Sequence, residues 1–170
     1  VVMGQAACER EATAEEIEAM QGLLAAGLAA GGLGFSSSWS TTHNDTEQNM
    51  VPSRYATREE LIALCSVLAD HPGTSLEFIP TIGPFGDDVA NLMADMAIAA
   101  DAPLNWNVLQ VYAQNWEQVQ HQLKGFEVAE ARGGHVRALV LPDSFRMRLN
   151  LRSGFVLDIL PGWDKLMALP

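Results

Sequence analysis

Short apolar segments alternate with amphipathic segments along most of this chain, and this alternation limits the possible folds more than any other feature. One apolar and one amphipathic segment together take about thirty residues, the size of a strand–helix unit, and the pair recurs about four times. Such a pattern predicts parallel strands joined by right-handed helical crossovers. Two architectures accept it, a doubly wound sheet and part of a (β/α)8 TIM barrel. Because a whole barrel needs about 250 residues, this chain can supply about half of one.

Capping sequences mark the predicted helices. A threonine followed three residues later by a glutamate satisfies two backbone amides at a helix start. Two such capping boxes occur, Thr13 with Glu16 and Thr57 with Glu60, and Asn115 is a third predicted cap. Glycines at Gly31 and Gly32 stop the first helix, as expected where the chain needs a left-handed residue. The helices are predicted at 14–30, 58–69, 88–100 and 116–131.

The predicted strands lie at 33–38, 74–80, 104–111 and 135–141. We therefore predict a single domain over residues 1–170, a partial TIM barrel of about four βα units. The tail from residue 142 is less regular. It offers short strands or turns at 146–150 and 155–160, and a helix that begins near Gly162.

Charge and cysteine content exclude several classes of function. The chain has 21 acidic and 10 basic residues and a net charge of −11, which disfavours nucleic acids and anionic membranes as partners. The two cysteines, Cys8 and Cys65, form no metal or disulfide framework, and Cys65 fits a buried position in a helix. A cytoplasmic location is expected by default, because neither the spacing nor the number of cysteines indicates an oxidising compartment. No apolar run is long enough to span a bilayer.

A polar stretch follows the first predicted strand, where parallel α/β proteins place their chemistry. Ser36 and Ser37 end the strand, and His43 and Asp45 follow in a loop of about fifteen residues. Serine, histidine and aspartate are the residue types of a nucleophilic triad, but the second glycine of a Gly-x-Ser-x-Gly elbow is missing. His43 and Asp45 are also possible metal ligands. Alternatively, the hydroxyls satisfy backbone groups at the strand end.

Three polar side chains interrupt later apolar strands. Glu77 is a carboxylate in the second strand. It is either an acid, a base or a polar anchor at a barrel mouth, or a residue that points outward or lies at a sheet edge. Asn105 and Asn107 share one face of the third strand. Their amides either donate to a substrate carbonyl or carboxylate or form a buried network. With Ser36 and Ser37, these residues make up the predicted substrate-binding set.

The loop 83–86, Gly-Pro-Phe-Gly, lies between a strand and a helix, where phosphate-binding loops occur. It lacks the glycine spacing of a dinucleotide fingerprint and the Gly-Lys-Ser/Thr of a P-loop. A doubly wound domain that binds a small ligand at this loop is therefore kept as an alternative.

Two motifs resemble those of a known enzyme group. The strand sequence of residues 30–37, Ala-Gly-Gly-Leu-Gly-Phe-Ser-Ser, is followed after a loop by residues 51–61, Val-Pro-Ser-Arg-Tyr-Ala-Thr-Arg-Glu-Glu-Leu. This pair resembles the N-acyl-D-amino-acid deacylase group of the amidohydrolase superfamily. There a Gly-Ala-x-Gly-x-Ser strand precedes a Pro-x-x-Tyr-Ala-Thr-x-Glu-Glu-Leu helix.

The resemblance implies a metal-dependent (β/α)8 hydrolase that cleaves an amide with a metal-activated water and an aspartate base. It implies zinc in the intact protein and a small-molecule amide as substrate. This chain departs from the group at the ligands, since it has no His-x-His. The strands that usually carry single histidines read Leu76-Glu77-Phe78 and Asn105-Trp106-Asn107 here. Either the metal is held elsewhere, with help from His43, Asp45 or Asn107, or this branch of the group has lost it.

Two hypotheses about the chain as a whole follow from these motifs. We expect an internal fragment of a longer amidohydrolase acting on the C–N bond of an N-acyl amino acid or a related small amide, inactive alone. The alternative is a non-catalytic half-barrel. Its open strand edges would pair with another copy, as a homo-oligomer, or with the remainder of its own barrel.

Overall fold

The computed structural model describes residues 1–45, 49–111, 113–141 and 162–167, together with positions 143, 146, 148 and 157. Helices and strands alternate along the chain. They are α1 (Ala14–Ala29), β1 (Gly34–Ser38), α2 (Arg58–Ser66), β2 (Ser75–Ile79), α3 (Asp87–Ala100), β3 (Leu104–Asn107), α4 (Trp116–Ala131), β4 (Val136–Leu139) and α5 (Trp163–Met167). Short 3-10 helices lie at Gly4–Cys8, Pro52–Arg54, Val67–Asp70 and Ala113–Asn115.

The four strands form one parallel sheet in the order β1-β2-β3-β4. Each strand pairs with the next one along the chain, so right-handed crossovers place the connecting helices on the same side of the sheet. A doubly wound sheet requires a point where the strand order reverses, and the described strands contain no reversal. The prediction of repeated βα units with parallel strands, about half of a (β/α)8 barrel, is confirmed.

The two faces of the sheet differ in chemistry because side chains alternate along each strand. The helix-covered face carries Leu76, Phe78, Leu104 and Trp106, which are at most 1% exposed. Burial of each such side chain stabilises the fold by roughly 1.5–3 kcal/mol. Trp106 also meets the ring of Phe85 edge-on, with the ring centroids 4.9 Å apart. The core therefore lies between the sheet and its helices.

The other face of the sheet, called the uncovered face below, carries a row of polar side chains. Its middle row runs Ser36, Glu77, Asn105 and Arg137, one residue from each strand in register. Ser36 and Arg137 are exposed, and Glu77 and Asn105 are half-buried. In a closed barrel this face would line the interior.

Glycines shape the connection from α1 to β1. Gly31 has a φ of 103°, and the Gly32 N–H donates to the Gly27 carbonyl at 2.9 Å, which ends α1 as predicted. Gly34 is required for a different reason: a Cβ there would lie 1.9 Å from the Ser75 carbonyl oxygen of β2. Only glycine lets β1 approach β2 this closely.

One carboxylate ties three helices together on the outer surface. Asp95 of α3 pairs with Arg58 of α2 and with Arg132 at the end of α4. Because these groups are partly exposed, each pair contributes no more than about 1 kcal/mol. The Asp95 carboxylate therefore links α2, α3 and α4.

The predictions at the helix ends need two corrections, at the end of the second helix and at Asn115. The helix expected at 58–69 is α-helical only to Ser66 and continues as a 3-10 turn to Asp70. Thr57 accepts the Glu60 amide at 3.1 Å, which is the threonine half of the predicted box. Asn115 precedes α4, but its side chain donates to the Gln110 carbonyl instead of capping the helix.

The strands predicted at 104–111 and 135–141 are shorter, at Leu104–Asn107 and Val136–Leu139. The helix expected near Gly162 is present as α5. The short elements predicted at 146–150 and 155–160 lie outside the described residues, apart from single positions. Among the residues that are described, no helix is long and apolar enough to cross a membrane.

Substitution of Gly34 by alanine is expected to destabilise the protein by about 1–3 kcal/mol, because the new methyl group would overlap the Ser75 carbonyl. Gly22→Ala is the matched control. Gly22 lies within α1, and no atom lies within 4 Å of a Cβ built at this position. Alanine there should therefore raise the free energy of unfolding by up to about 1 kcal/mol. Urea unfolding of both variants measures this difference. Equal effects of the two substitutions would show that the close approach of β1 to β2 does not require glycine at position 34.

The start of α1 should weaken in acid. Glu16 accepts from Arg10 and from the Thr13 amide, both at 2.8 Å, and these bonds lower its pKa from 4.5 to about 2. A lowered carboxyl pKa adds stability that is present above 4.5 and is lost as the pH falls toward 2. Glu16→Gln should therefore be less stable than the wild type near neutral pH.

That difference should shrink between about pH 4.5 and pH 2 in urea unfolding measured across pH. Arg10→Gln removes the largest cause of the shift and should show a similar pH dependence. A difference between Glu16→Gln and the wild type that stays constant over this range would contradict the assignment.

Candidate functional site

The uncovered face brings together most of the predicted substrate-binding residues. Ser36, Glu77 and Asn105 lie side by side in the middle row, and Asn107 lies one layer nearer the carboxyl ends of the strands. Parallel α/β proteins bind their ligands at that end of the sheet. The structure thus groups four predicted residues that are far apart in the sequence.

Ser37 lies apart from this group. Its register partner on β2 is Phe78, and Phe78 in turn pairs with Trp106, so all three belong to the helix-covered face. The structure therefore brings Ser36 but not Ser37 to the polar row. Because three consecutive residues are serines, the sequence shows no polarity pattern that indicates which of them faces the helices.

A hydrogen bond joins the side chains of Glu77 and Asn107 on the uncovered face. Asn107 Nδ2 donates to Glu77 Oε1 at 2.8 Å, across the β2–β3 pair. Glu77 lies on an interior strand of the sheet, so the alternative of a sheet-edge position is wrong. The bond orients the carboxylate and leaves the Asn107 carbonyl oxygen as an acceptor for another group.

Arg137 completes the middle row and was not among the site residues predicted from the sequence. It pairs in register with Asn105 and places a guanidinium on the same face as Glu77. Its signal in the sequence was weak, because an arginine at the start of an apolar strand is common at a solvated edge. Only the pairing of β3 with β4 shows that it shares a row with the predicted residues.

The loop after β1 is held by its own polar groups. Ser38 and Ser40 are buried, and the Ser38 hydroxyl accepts the Ser40 amide at 3.2 Å. The Ser40 hydroxyl in turn lies 2.8 Å from that of Thr42. Trp39 Nε1 donates to the Ala56 carbonyl at 3.1 Å. These contacts agree with the alternative in which strand-end hydroxyls satisfy neighbouring groups.

The two predicted metal ligands lie farther along this loop. His43 is half-buried, and its backbone amide donates to the Ser40 carbonyl at 3.0 Å. Asp45 is exposed, and its carboxylate accepts the backbone and side-chain amides of Asn49 at 2.9 and 3.2 Å. Among the described residues, no contact joins His43 or Asp45 to Glu77 or Asn107, so their role as ligands stays a prediction.

The loop 83–86 before α3 is held by contacts with other parts of the protein. The Phe85 ring is buried against Trp106, and the Gly83 carbonyl accepts from Gln122 at 3.3 Å. Asp87 and Asp88 occupy the first turn of α3. Two carboxylates at a helix start repel a phosphate, so this loop does not favour the nucleotide-type alternative.

Cys65 has the structural role expected of it. Its side chain is completely buried in the core, and burial raises the pKa of its thiol to about 12. A thiol with so high a pKa is not a nucleophile near neutral pH.

Comparison with known proteins relates this geometry to one enzyme. A crystal structure of D-aminoacylase, described as defining a novel subset of amidohydrolases, superposes with a TM-score of 0.57 and 25% identity. The match covers 84% of this chain. The chain folds as a segment of D-aminoacylase does. It spans only 28% of the length of that enzyme. The resemblance that the two motifs indicated is confirmed.

Further structures of D-aminoacylase agree. A variant in complex with CuCl2 and a structure from work on the binuclear metal centre match with TM-scores of 0.53 and 0.54. Each is 25% identical and covers 79% of this chain and 26% of its own. No protein-family model and no curated protein matches the sequence.

The polar row does not fit a metal centre. Within the part of the chain that the structure describes, no three His, Cys, Asp or Glu side chains come together. Glu77 is the single carboxylate of the middle row, and its Oε1 accepts from Asn107. Arg137 adds a positive charge to the same row, which opposes a cation. Amides, a hydroxyl and a guanidinium instead suit hydrogen bonding to an organic ligand.

Replacement of Asn107 by alanine is expected to lower the free energy of unfolding by about 1 kcal/mol, because it removes a hydrogen bond to a half-buried carboxylate. Asn105→Ala is the matched control, since it deletes an amide from the same strand face without breaking the Glu77 bond. Urea unfolding near neutral pH compares the two. A larger loss for Asn105→Ala would argue against the Asn107–Glu77 contact.

Proposed function

We propose that this chain is part of an amidohydrolase that cleaves the C–N bond of an N-acyl amino acid or a related small amide. The observation that carries the proposal is the superposition on D-aminoacylase over 84% of the chain. The polar residues support it, because they lie on the face that would point into a barrel and toward the carboxyl ends of the strands.

In this proposal the described residues bind the substrate. The Asn105 and Asn107 amides are suited to the carbonyl and amide groups of an acylated amino acid, and Glu77 accepts an N–H. Ser36 adds a hydroxyl at the β1 end of the row. No residue of the chain is assigned as the general base or as the nucleophile.

The D-aminoacylase structures include a binuclear metal centre and a complex with CuCl2, which supports a metal cofactor for the whole protein. Zinc is our proposal for that metal. It would supply a water molecule whose pKa is lowered toward neutrality. Since the polar row does not fit a metal, we place the ligands elsewhere in the protein, with His43 and Asp45 as the candidates within this chain. The chain alone is therefore expected to be inactive.

The test uses the full-length protein that contains this chain and a panel of N-acyl-D- and N-acyl-L-amino acids. Release of free amino acid, abolished by a chelator and restored by zinc, is the expected result. The isolated chain of residues 1–170 should release none. Absence of hydrolysis across the panel, with the full-length protein folded and loaded with metal, would overturn the proposed function.

The sheet edges favour a second candidate, a half-barrel that pairs with another copy of itself. Leu139, Val140 and Leu141 at the end of β4 are 41–51% exposed, and β4 has no second strand partner among the described residues. Unpaired edges and exposed apolar side chains favour association. A strictly monomeric isolated chain in sedimentation, with no binding of an apolar dye, would exclude this candidate.

A further inference from the structure

Arg137 differs from the other arginines of the well-described region. Within residues 1–141, the other four each have a polar partner: Arg10 with Glu16, Arg54 with Asn44, and Arg58 and Arg132 with Asp95. For the Arg137 guanidinium the described residues provide no hydrogen bond and no ion pair. A cation left without a counter-charge on a face that a closed barrel would bury needs an anion from elsewhere.

The neighbours of Arg137 restrict what that anion is. Asn105 lies beside it on β3, and Glu77 lies one strand farther, about 10 Å away at a strand spacing of about 4.8 Å. Glu77 Oε1 already accepts a hydrogen bond from Asn107 of β3. From β4 to β2 the row thus presents a cation, an amide and a carboxylate acceptor.

An N-acyl amino acid carries complementary groups in a compact arrangement. Its carboxylate matches a guanidinium, which binds carboxylates through two parallel hydrogen bonds. Its acyl carbonyl matches the Asn105 amide, and its N–H matches an acceptor on the Glu77 side. A metal ion would be attracted by Glu77 and repelled by Arg137, and the reverse holds for a phosphate.

We propose that Arg137 binds the α-carboxylate of the substrate and so selects acids over neutral amides. This inference rests on the proposed function, because it takes its ligand class from there. It assigns Arg137 to substrate selection and to none of the bond-breaking steps.

The test compares each N-acyl amino acid with the same compound carrying a carboxamide in place of the carboxylate. In the full-length protein, Arg137→Ala should lower kcat/KM for the acid by about tenfold to a hundredfold, the usual effect of losing a charge-assisted hydrogen bond. It should leave kcat/KM for the carboxamide nearly unchanged. Arg137→Lys keeps the charge but not the two parallel N–H donors, so its loss of kcat/KM for the acid should be smaller. Lys124→Ala removes an exposed cation from α4 and should change kcat/KM for neither substrate.

The ratio of kcat/KM for acid to that for carboxamide separates selection from a structural role. If Arg137 instead pairs with a carboxylate of the barrel, Arg137→Ala lowers the stability of the protein and lowers kcat/KM equally for both substrates. That result overturns the proposal. If Arg137→Ala does not fold, the same ratio in Arg137→Lys decides: an unchanged ratio overturns the proposal and a lowered one supports it.

Failure of the proposed function is distinguishable from failure of this inference. If the full-length wild type hydrolyses nothing, calorimetric binding of N-acetyl-D-alanine tests Arg137 alone. Binding by the wild type that Arg137→Ala abolishes supports the inference, even with the hydrolytic function rejected. Equal binding by both proteins, or no binding by the wild type, overturns it.

Discussion

The parallel hydrogen-bond ladder is the constraint on which the rest of this structure depends. It sets β1, β2, β3 and β4 in one register, so that residues distant in sequence become lateral neighbours. Since side chains alternate along a strand, the same ladder sorts them onto two faces. One face buries Phe78 and Trp106 against helices, and the other gathers Glu77 and Asn105. The core and the candidate site therefore have a common origin in the backbone.

Features that depend on a few neighbouring residues were predictable from the sequence. The Thr13–Glu16 capping box, the glycine stop after α1 and the alternation of Asn105 and Asn107 all follow from local geometry. Cys65 was also placed correctly, because an apolar helical face predicts burial. In each case the relevant partners lie within a few residues of one another.

Features that depend on strand register were not predictable. Arg137 joins the polar row only because β4 pairs with β3 in a particular alignment, and no local pattern specifies that alignment. The same holds for Ser37, whose face depends on the frame of a strand composed largely of small residues. Asn115 shows a different limit, since its side chain prefers the Gln110 carbonyl to the helix start. The orientation of this side chain is decided by the path of the loop.

The division of the sheet into two faces also has a consequence for how such a protein can diverge. A side chain on the uncovered face changes the chemistry offered to a ligand, while the packing of the opposite face is left intact. Positions such as Glu77 and Asn107 could therefore exchange imidazole, amide or carboxylate over generations at little cost to folding. A scaffold of this kind keeps its architecture while its reactivity drifts, and its ancestry is then easier to recognise in its shape than in its catalytic groups.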